Sequence, residues 1–132
     1  MNPITSEEIE SLKPNEIFCF GSNLAGIHGA GAALLARKWG ARIGYGIGPK
    51  GQTYAIPTKD GRLRTLPLEH IQYHVHRFIN YAKAHSEYVF LVTQIGCGLA
   101  GYSPKEIAPL FSSAVGIENI SLPQCFLDVL SE

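Results

Sequence analysis

The order of apolar and polar residues along the chain predicts short buried strands that alternate with helices. Compact runs of aromatic and β-branched residues predict strands at 16–20, 52–57, 87–95 and 117–122. Apolar residues that recur at steps of three and four predict one long amphipathic helix, from Leu68 to about His85. This alternation is typical of an α/β protein, and we expect a three-layer α/β/α sandwich with a mixed, mainly parallel sheet.

Characteristic end signals predict three further helices, at 5–12, 29–39 and 103–114. Gly40 is a suitable C-cap for the second of them, whose many alanines allow close packing on a sheet. Ser103 and Glu106 have the spacing of a capping box, and Pro104 takes the first helical position, which proline favours. Segments rich in glycine or polar residues are predicted to be loops, at 44–51 and 58–66. The pattern leaves the structure of the last apolar segment, 125–130, undecided.

Composition narrows the class of protein. With 132 residues, 45% of them hydrophobic and 17% charged, the chain is apolar enough for one globular domain over 1–132 and too apolar for disorder. Its net charge of zero argues against broad binding to nucleic acid. No apolar run reaches the roughly 18 to 20 residues of a membrane span, and the first residues do not resemble a signal peptide. We therefore expect no membrane partner. The three cysteines, Cys19, Cys97 and Cys125, are odd in number and far apart, so we expect reduced thiols and a cytoplasmic location.

Two glycine-rich loops carry the clearest sign of a ligand. One runs from Gly96 to Gly101, between a predicted strand and a predicted helix, and its glycines leave backbone N–H groups uncovered, which suits phosphate. The other follows the strand that ends at Phe20 and contains Asn23, whose amide offers a donor and acceptors for ribose hydroxyl groups. Because parallel strands present their carboxyl ends at one edge of a sheet, we expect the two loops to form one cleft.

The spacing Gly96-x-Gly98-x-x-Gly101 also fits the fingerprint of dinucleotide-binding domains. That motif normally lies in the first βαβ unit, with an acidic residue about 20 positions later. Here only about 30 residues follow Gly101, although Glu118 stands near the expected acidic position. The order of the elements therefore argues against a redox domain that transfers hydride to or from NAD.

Together, the segments 23–33 and 95–102 resemble the macro domain, an α/β/α module that binds ADP-ribose. The motifs occur in the order and separation of that family, and the resemblance extends over about 17–122. Phe20-Gly21-Ser22-Asn23 stands where the family usually has Asn-Ala-Ala-Asn, and the family's adenine-contacting Asp has no evident counterpart. The resemblance implies a small macro-like domain that binds ADP-ribose or a related NAD-derived nucleotide metabolite.

The resemblance also implies roles for individual residues. Asn23 would contact the distal ribose, Tyr102 would pack against the ribose or the base, and the loop 96–101 would wrap the diphosphate with its amides. The ligand-binding residues expected on this basis are Gly21, Ser22, Asn23, Gly29, Ala30, Gly31, Gly96, Cys97, Gly98, Leu99, Ala100, Gly101 and Tyr102.

Catalysis is less clearly marked than binding. In a hydrolase of ADP-ribosyl linkages, Asn23 would hold the distal ribose, and His28 or Asp60 would serve the attacking water. Asp60 belongs to a polar loop in which Lys59 or Arg62 could meet phosphate, although a charged surface loop is the simpler interpretation. No acid–base pair stands out, so binding is favoured slightly over hydrolysis. The alternative function is a non-catalytic phosphate-binding or protein-interaction domain with a vestigial cleft.

Other reactive side chains carry weaker signals. Cys97 lies between glycines just before a helix, but no partner base can be assigned to it. His70 and His74 are four residues apart, as metal ligands often are, but no third ligand is evident. We therefore expect neither a metal nor a cofactor, and the sequence leaves the oligomeric state open.

Overall fold

A six-stranded sheet forms the centre of the molecule. A computed structural model describes all 132 residues of the chain. The strands are β1 (Ile4–Thr5), β2 (Glu16–Asn23), β3 (Gly48–Lys50), β4 (Thr53–Lys59), β5 (Val89–Val92) and β6 (Ile120–Pro123). They lie in the order β1-β6-β5-β2-β4-β3, and all neighbouring pairs are parallel except the antiparallel pair of β3 and β4. The expectation of a mixed, mainly parallel sheet is confirmed.

Four helices cover the two faces of this sheet. They are α1 (Gly31–Ala36), α2 (Leu68–Ala84), α3 (Pro104–Ile107) and α4 (Gln124–Leu130), and 3-10 turns extend α1 over Arg37–Trp39 and α3 over Ala108–Ala114. On one face, α2, α3 and α4 contribute to a hydrophobic cluster of 21 buried residues, whereas α1 covers the other face with a smaller cluster. The α/β/α sandwich is therefore confirmed, with layers of unequal size. None of these helices is both long and apolar enough to cross a membrane.

The central strand β2 supplies side chains to both layers. Ile17 and Cys19 belong to the larger cluster, whereas Phe18 and Phe20 belong to the smaller one beneath α1. All four are buried, because a central strand of a parallel sheet is covered on both faces. The apolar run in the sequence is thus continuous, while its alternation assigns each residue to one layer.

The residues typical of helix ends predicted the positions of several helix ends well. The helix expected from Leu68 to about His85 ends at Ala84. Gly40 has a φ of 112° at the end of the α1 segment, a left-handed conformation that glycine adopts without strain. In the capping box of α3, the N–H of Ser103 donates to Oε1 of Glu106 at 3.0 Å.

Residues 6–12 do not form the predicted helix. Ile4–Thr5 instead forms β1, which pairs with β6 at the edge of the sheet. Because β1 and β2 run in the same direction, the chain between them must return along the length of the sheet. A seven-residue helix advances only about 10 Å, whereas an eight-residue strand such as β2 is about 26 Å long. An irregular segment therefore makes this connection.

Two other segments differ from the predicted secondary structure, and a third is the segment that the sequence left undecided. β3 lies within the segment predicted to be a glycine-rich loop, as an antiparallel edge strand. The helix expected to reach Ala114 changes to 3-10 geometry at Ala108, because Pro109 has no N–H to donate to the carbonyl one turn earlier. The undecided segment near the end of the chain is the helix α4.

Candidate ligand-binding cleft

A cleft of about 520 Å³ lies at the carboxyl ends of β2, β4 and β5. The first two strands run further than predicted and carry Asn23 and Lys59 to this edge, whereas β5 ends at Val92 rather than at Ile95. Both glycine-rich loops contribute to the cleft. The residues that line it are Gly21, Ser22, Asn23, Ile27, Gly29, Ala30, Gly31, Ala32, Ala33, Thr58, Lys59, Leu63, Thr93, Gln94, Ile95, Gly96, Gly98, Leu99 and Ala100.

The loop after β5 carries unpaired backbone donors. Within the loop 96–101, four N–H groups have no acceptor in the protein, those of the lining residues Gly96, Gly98, Leu99 and Ala100. The N–H of Cys97 donates to the carbonyl of Gln94, and that of Gly101 to the carbonyl of Gly98, which fixes the shape of the loop. A short run of free amides is a common way to bind an anion, phosphate above all.

Glycine is needed at the start of this loop, at position 96. Gly96 has a φ of 78°, and a Cβ on it would lie 2.8 Å from Cδ1 of Ile107. A Cβ on Gly21, at the end of β2, would lie 3.5 Å from the backbone nitrogen of Gly96. Glycine is therefore required at position 96 by its positive φ and by Ile107, whereas a Cβ on Gly21 would make only ordinary contact with the amide of Gly96.

Asn23 closes the other loop on itself. Its Oδ1 accepts a hydrogen bond from the N–H of Ile27 at 2.9 Å, and its Nδ2 donates to the carbonyl of Ile27 at 2.7 Å. Asn23 is 8% exposed and lines the cleft. One Nδ2 hydrogen and one lone pair of Oδ1 are left over for a ligand hydroxyl group.

A segment remote in sequence, 42–46, supports this loop from outside. The N–H of Gly44 donates to the carbonyl of Gly26 at 2.9 Å, and the Ser22 hydroxyl donates to the carbonyl of Gly46. A Cβ on Gly46 would overlap the carbonyl oxygen of Asn23. The wall of the cleft that contains Asn23 thus depends on a backbone contact that only glycine permits.

Lys59 is the only ionisable side chain among the residues that line the cleft. It ends β4 beside Asn23, its partner in the sheet register. The neighbouring Thr58 is buried and donates its hydroxyl to the carbonyl of Ser22 at 3.3 Å, which holds the ends of the two strands together. With one cation, free N–H donors and no carboxylate, the lining favours an anionic ligand.

His28 lies behind the cleft rather than in it. It is 1% exposed, its Nε2 is 2.9 Å from the carbonyl oxygen of Arg42, and its ring meets that of Phe20 edge-on. Its Nδ1 is buried and has no partner. His28 thus joins the loop that contains Asn23 to the supporting segment 42–46, and it is not among the residues that line the cleft.

Asp60 is committed to its own turn and does not line the cleft. Its carboxylate accepts hydrogen bonds from the backbone N–H groups of Arg62 at 2.8 Å and Arg64 at 3.0 Å. These bonds, that from Arg64 foremost, hold the pKa of Asp60 below its usual value. A carboxylate that is both engaged and less basic than usual is poorly suited to activating water.

Two further residues that were predicted to bind the ligand, Gly101 and Tyr102, shape the loop 96–101 but do not line the cleft. The Tyr102 hydroxyl donates to the carbonyl of Leu66 at 2.6 Å, and the ring packs against the larger hydrophobic cluster. Gly101 has a φ of 89° and closes a turn by donating its N–H to the carbonyl of Gly98 at 3.0 Å. Both residues therefore anchor the loop that carries the free donors.

The thiol of Cys97 also lies outside the lining. Its Sγ is 3.6 Å from the carbonyl oxygen of Ile95, and burial raises its pKa to about 11. The thiolate is the reactive form, so a raised pKa makes the thiol unreactive at neutral pH.

We expect iodoacetamide at pH 7.5 to modify Cys97 at least about 100-fold more slowly in the folded protein than in the unfolded chain. Peptide mass spectrometry of samples quenched over time measures both rates, and the same protein in urea provides the control. Rapid modification of folded Cys97 would contradict the raised pKa of this half-buried thiol.

A second cavity, of about 300 Å³, adjoins the cleft. The two share Gly31, Ala32, Thr93 and Gln94, so a continuous groove crosses the carboxyl edge of the sheet. The rest of its lining is Thr5, Ser6, Glu7, Ile9, Phe18, Leu35, Pro123, Gln124 and Cys125. Sequence reasoning missed this cavity, because its walls combine β1 with the start of α4, two elements that the pattern did not predict.

The chain has the macrodomain fold, an α/β/α sandwich with a mixed, mainly parallel sheet, as comparison with solved structures shows. The chain is similar in structure to the macrodomain of Mycobacterium tuberculosis DarG, with a TM-score of 0.69 and 16% identity over 93% of this chain and 95% of that one. It is also similar to a macrodomain protein from Streptomyces coelicolor, with a TM-score of 0.55 and 19% identity over 92% and 95% of the two chains. A protein of unknown function from Bacteroides thetaiotaomicron gives a TM-score of 0.61 and 15% identity, over 86% and 90%. No family model matches the sequence, and no curated protein is significantly similar to it.

Proposed function

We propose that this protein binds ADP-ribose or a closely related nucleotide in the groove at the carboxyl edge of its sheet. The observation that carries the proposal is the set of four unpaired N–H groups in the loop 96–100, in a cleft whose only ionisable lining side chain is Lys59. Amide donors together with an ammonium group suit a diphosphate. The macrodomain fold of the chain supports the same class of ligand.

In this proposal the ligand binds along the groove in one orientation, with its base and its distal ribose at opposite ends. The diphosphate contacts the loop 96–100, and the distal ribose and its phosphate lie near Asn23 and Lys59. The base occupies the second cavity, where Phe18 and Leu35 provide apolar contacts for a flat heteroaromatic ring. Support comes from the continuity of the two cavities, since a dinucleotide-sized ligand needs separate places for its charged and its apolar parts.

Binding accounts for this cleft better than hydrolysis does. Hydrolysis of a glycosidic linkage needs a group that activates water, and the lining contains neither a carboxylate nor an imidazole. The two candidate bases, His28 and Asp60, are engaged in other contacts. We therefore propose a binding domain that reads or sequesters ADP-ribose.

Calorimetric titration with ADP-ribose, ADP, AMP and ribose 5-phosphate tests this function. We expect ADP-ribose to bind at least about tenfold more tightly than ADP, because the distal ribose adds hydrogen bonds of about 1 kcal/mol each near Asn23. ADP in turn should bind more tightly than AMP, since its second phosphate reaches more of the free amides.

Two other outcomes of this titration would contradict the proposal. Equal binding of ADP-ribose and ADP would remove the distal-ribose contact and leave a general phosphate loop. Absence of binding by every one of these compounds would overturn the function and favour a protein-interaction domain with a vestigial cleft.

A further inference from the structure

Leu63 has an unusual conformation in the turn between β4 and α2. It is the only residue other than glycine with a positive φ, of 63°, and its side chain is 45% exposed. It lines the cleft and belongs to neither hydrophobic cluster. A leucine in this left-handed region is strained, and such strain persists only where the surrounding structure fixes it. Core packing therefore does not explain why a leucine stands here.

Asp60 fixes the backbone of this turn. Besides the two backbone N–H groups already described, its carboxylate accepts a hydrogen bond from Nε of Arg64 at 3.1 Å. The main chain closes the turn through the N–H of Asp60, which donates to the carbonyl of Arg64 at 2.7 Å, and the N–H of Leu63, which donates to that of Asp60 at 3.1 Å. Leu63 is thus held in one conformation at the apex of a rigid turn.

The turn is also joined to the loop that carries the free amides. The hydroxyl of Thr65 donates to the carbonyl of Ala100 at 2.9 Å. Lys59 and Thr65 form a bridge at the base of the turn, so Leu63 lies on the same side of the cleft as the single cation. This is the end of the groove furthest from the second cavity, because β4 lies on the opposite side of β2 from β5 and β6.

We propose that Leu63 is a ligand-contact residue that covers the distal ribose of the bound nucleotide, an inference that rests on the proposed function. Its side chain packs on the ring of that ribose and removes water from it. Removal of water lowers the local dielectric constant and strengthens the interaction between Lys59 and the adjacent phosphate. Asp60 acts as a positioning residue, since it holds the turn and does not touch the ligand.

Two variants of Leu63 separate this contact from folding. Leu63→Ala removes most of the side chain but keeps the strained backbone, whereas Leu63→Gly also relaxes the backbone. We expect both to weaken ADP-ribose binding by about five- to tenfold. Binding of ADP, which lacks the distal ribose, should stay within about twofold of wild type. The melting temperature of Leu63→Gly should equal or exceed that of Leu63→Ala.

The matched control is Leu34→Ala, because Leu34 is 48% exposed and lies on α1 outside both cavities. This variant should bind ADP-ribose as the wild type does. If the wild type binds ADP-ribose and both Leu63 variants keep its affinity, the role of Leu63 is overturned while the proposed function stands. An equal loss of ADP affinity would also overturn it, since the effect would then not involve the distal ribose. Failure of the wild type to bind ADP-ribose would overturn the function and this inference together.

Discussion

Lys59→Met should weaken the binding of ADP-ribose by about 10- to 100-fold and leave the melting temperature within about 2 °C of wild type. Methionine keeps an unbranched stem that is one atom shorter and removes the ammonium group with its charge and its hydrogen-bond donors. Hydrogen bonds to charged groups contribute about 1.5 to 3 kcal/mol, which corresponds to this range of affinity. No other ionisable side chain lines the cleft, so no neighbour can replace the lost ammonium group. Calorimetric titration and thermal unfolding measure the two effects separately.

The control for this variant is Lys83→Met, which removes an exposed lysine of α2 outside the cleft. It should change neither affinity nor melting temperature. Added salt should weaken wild-type binding more than that of Lys59→Met, because a charge contact is screened and an amide contact is screened less. Unchanged affinity in Lys59→Met would show that the ammonium group does not contact the ligand.

The same variant also tests the choice of binding over hydrolysis. Wild-type protein is incubated with an ADP-ribosylated protein substrate, and released ADP-ribose is measured by mass spectrometry. No release is expected, because the cleft lining has no general base. Release of ADP-ribose by the wild type would overturn the binding-only proposal. Loss of that release in Lys59→Met at saturating substrate, where weaker binding no longer limits the rate, would make the lysine part of a catalytic site.

Elements with a periodic signal were predictable from sequence because their pattern is local. The long helix α2 buries Ile71, Val75 and Phe78, residues at the three- and four-residue steps that predicted it. The helix predicted at 6–12 does not form for a reason that is not local, because the direction of β1 relative to β2 is a property of the whole sheet. β3 was missed because Gly48 and Pro49 have low strand propensity, and they form a strand only beside the free edge of β4.

Within the candidate site too, features that depend on local sequence were predictable, and features that depend on distant residues were not. The loop 96–101 was predictable because the chemistry of free amides depends on the glycines themselves. The position of His28 behind the cleft was not predictable, because its burial depends on Phe20 and on the carbonyl of Arg42, which lies 14 residues away. Lys59 and Leu63 line the cleft because β4 continues to Lys59, two residues beyond its predicted end at Pro57. Pairing with β2, which also runs beyond its predicted end, drives that continuation, and a single segment of sequence contains no sign of it.

Gly46→Ala should lower the stability of the protein by about 3 kcal/mol, which corresponds to a fall of roughly 10 °C in melting temperature. The added Cβ would overlap the carbonyl oxygen of Asn23 and lie 3.1 Å from the backbone nitrogen of Gly26. Both groups belong to one turn, since the N–H of Gly26 donates to that carbonyl at 3.0 Å. Backbone atoms cannot move aside as a flexible side chain can, so either the turn or the segment 42–46 must shift.

The melting temperature and the ADP-ribose affinity of Gly46→Ala should fall together, because the displaced turn also positions Asn23. Thermal unfolding and calorimetric titration measure the two quantities. Gly61→Ala is the matched control, as a Cβ on Gly61 would meet no atom within 4 Å and its φ is not positive. That variant should melt within about 2 °C of wild type. If Gly46→Ala also kept the wild-type melting temperature and affinity, the backbone contact between the segment 42–46 and the Asn23 loop would not exist as described. A variant that lost affinity but no stability would mean that this contact orients Asn23 without contributing to the fold.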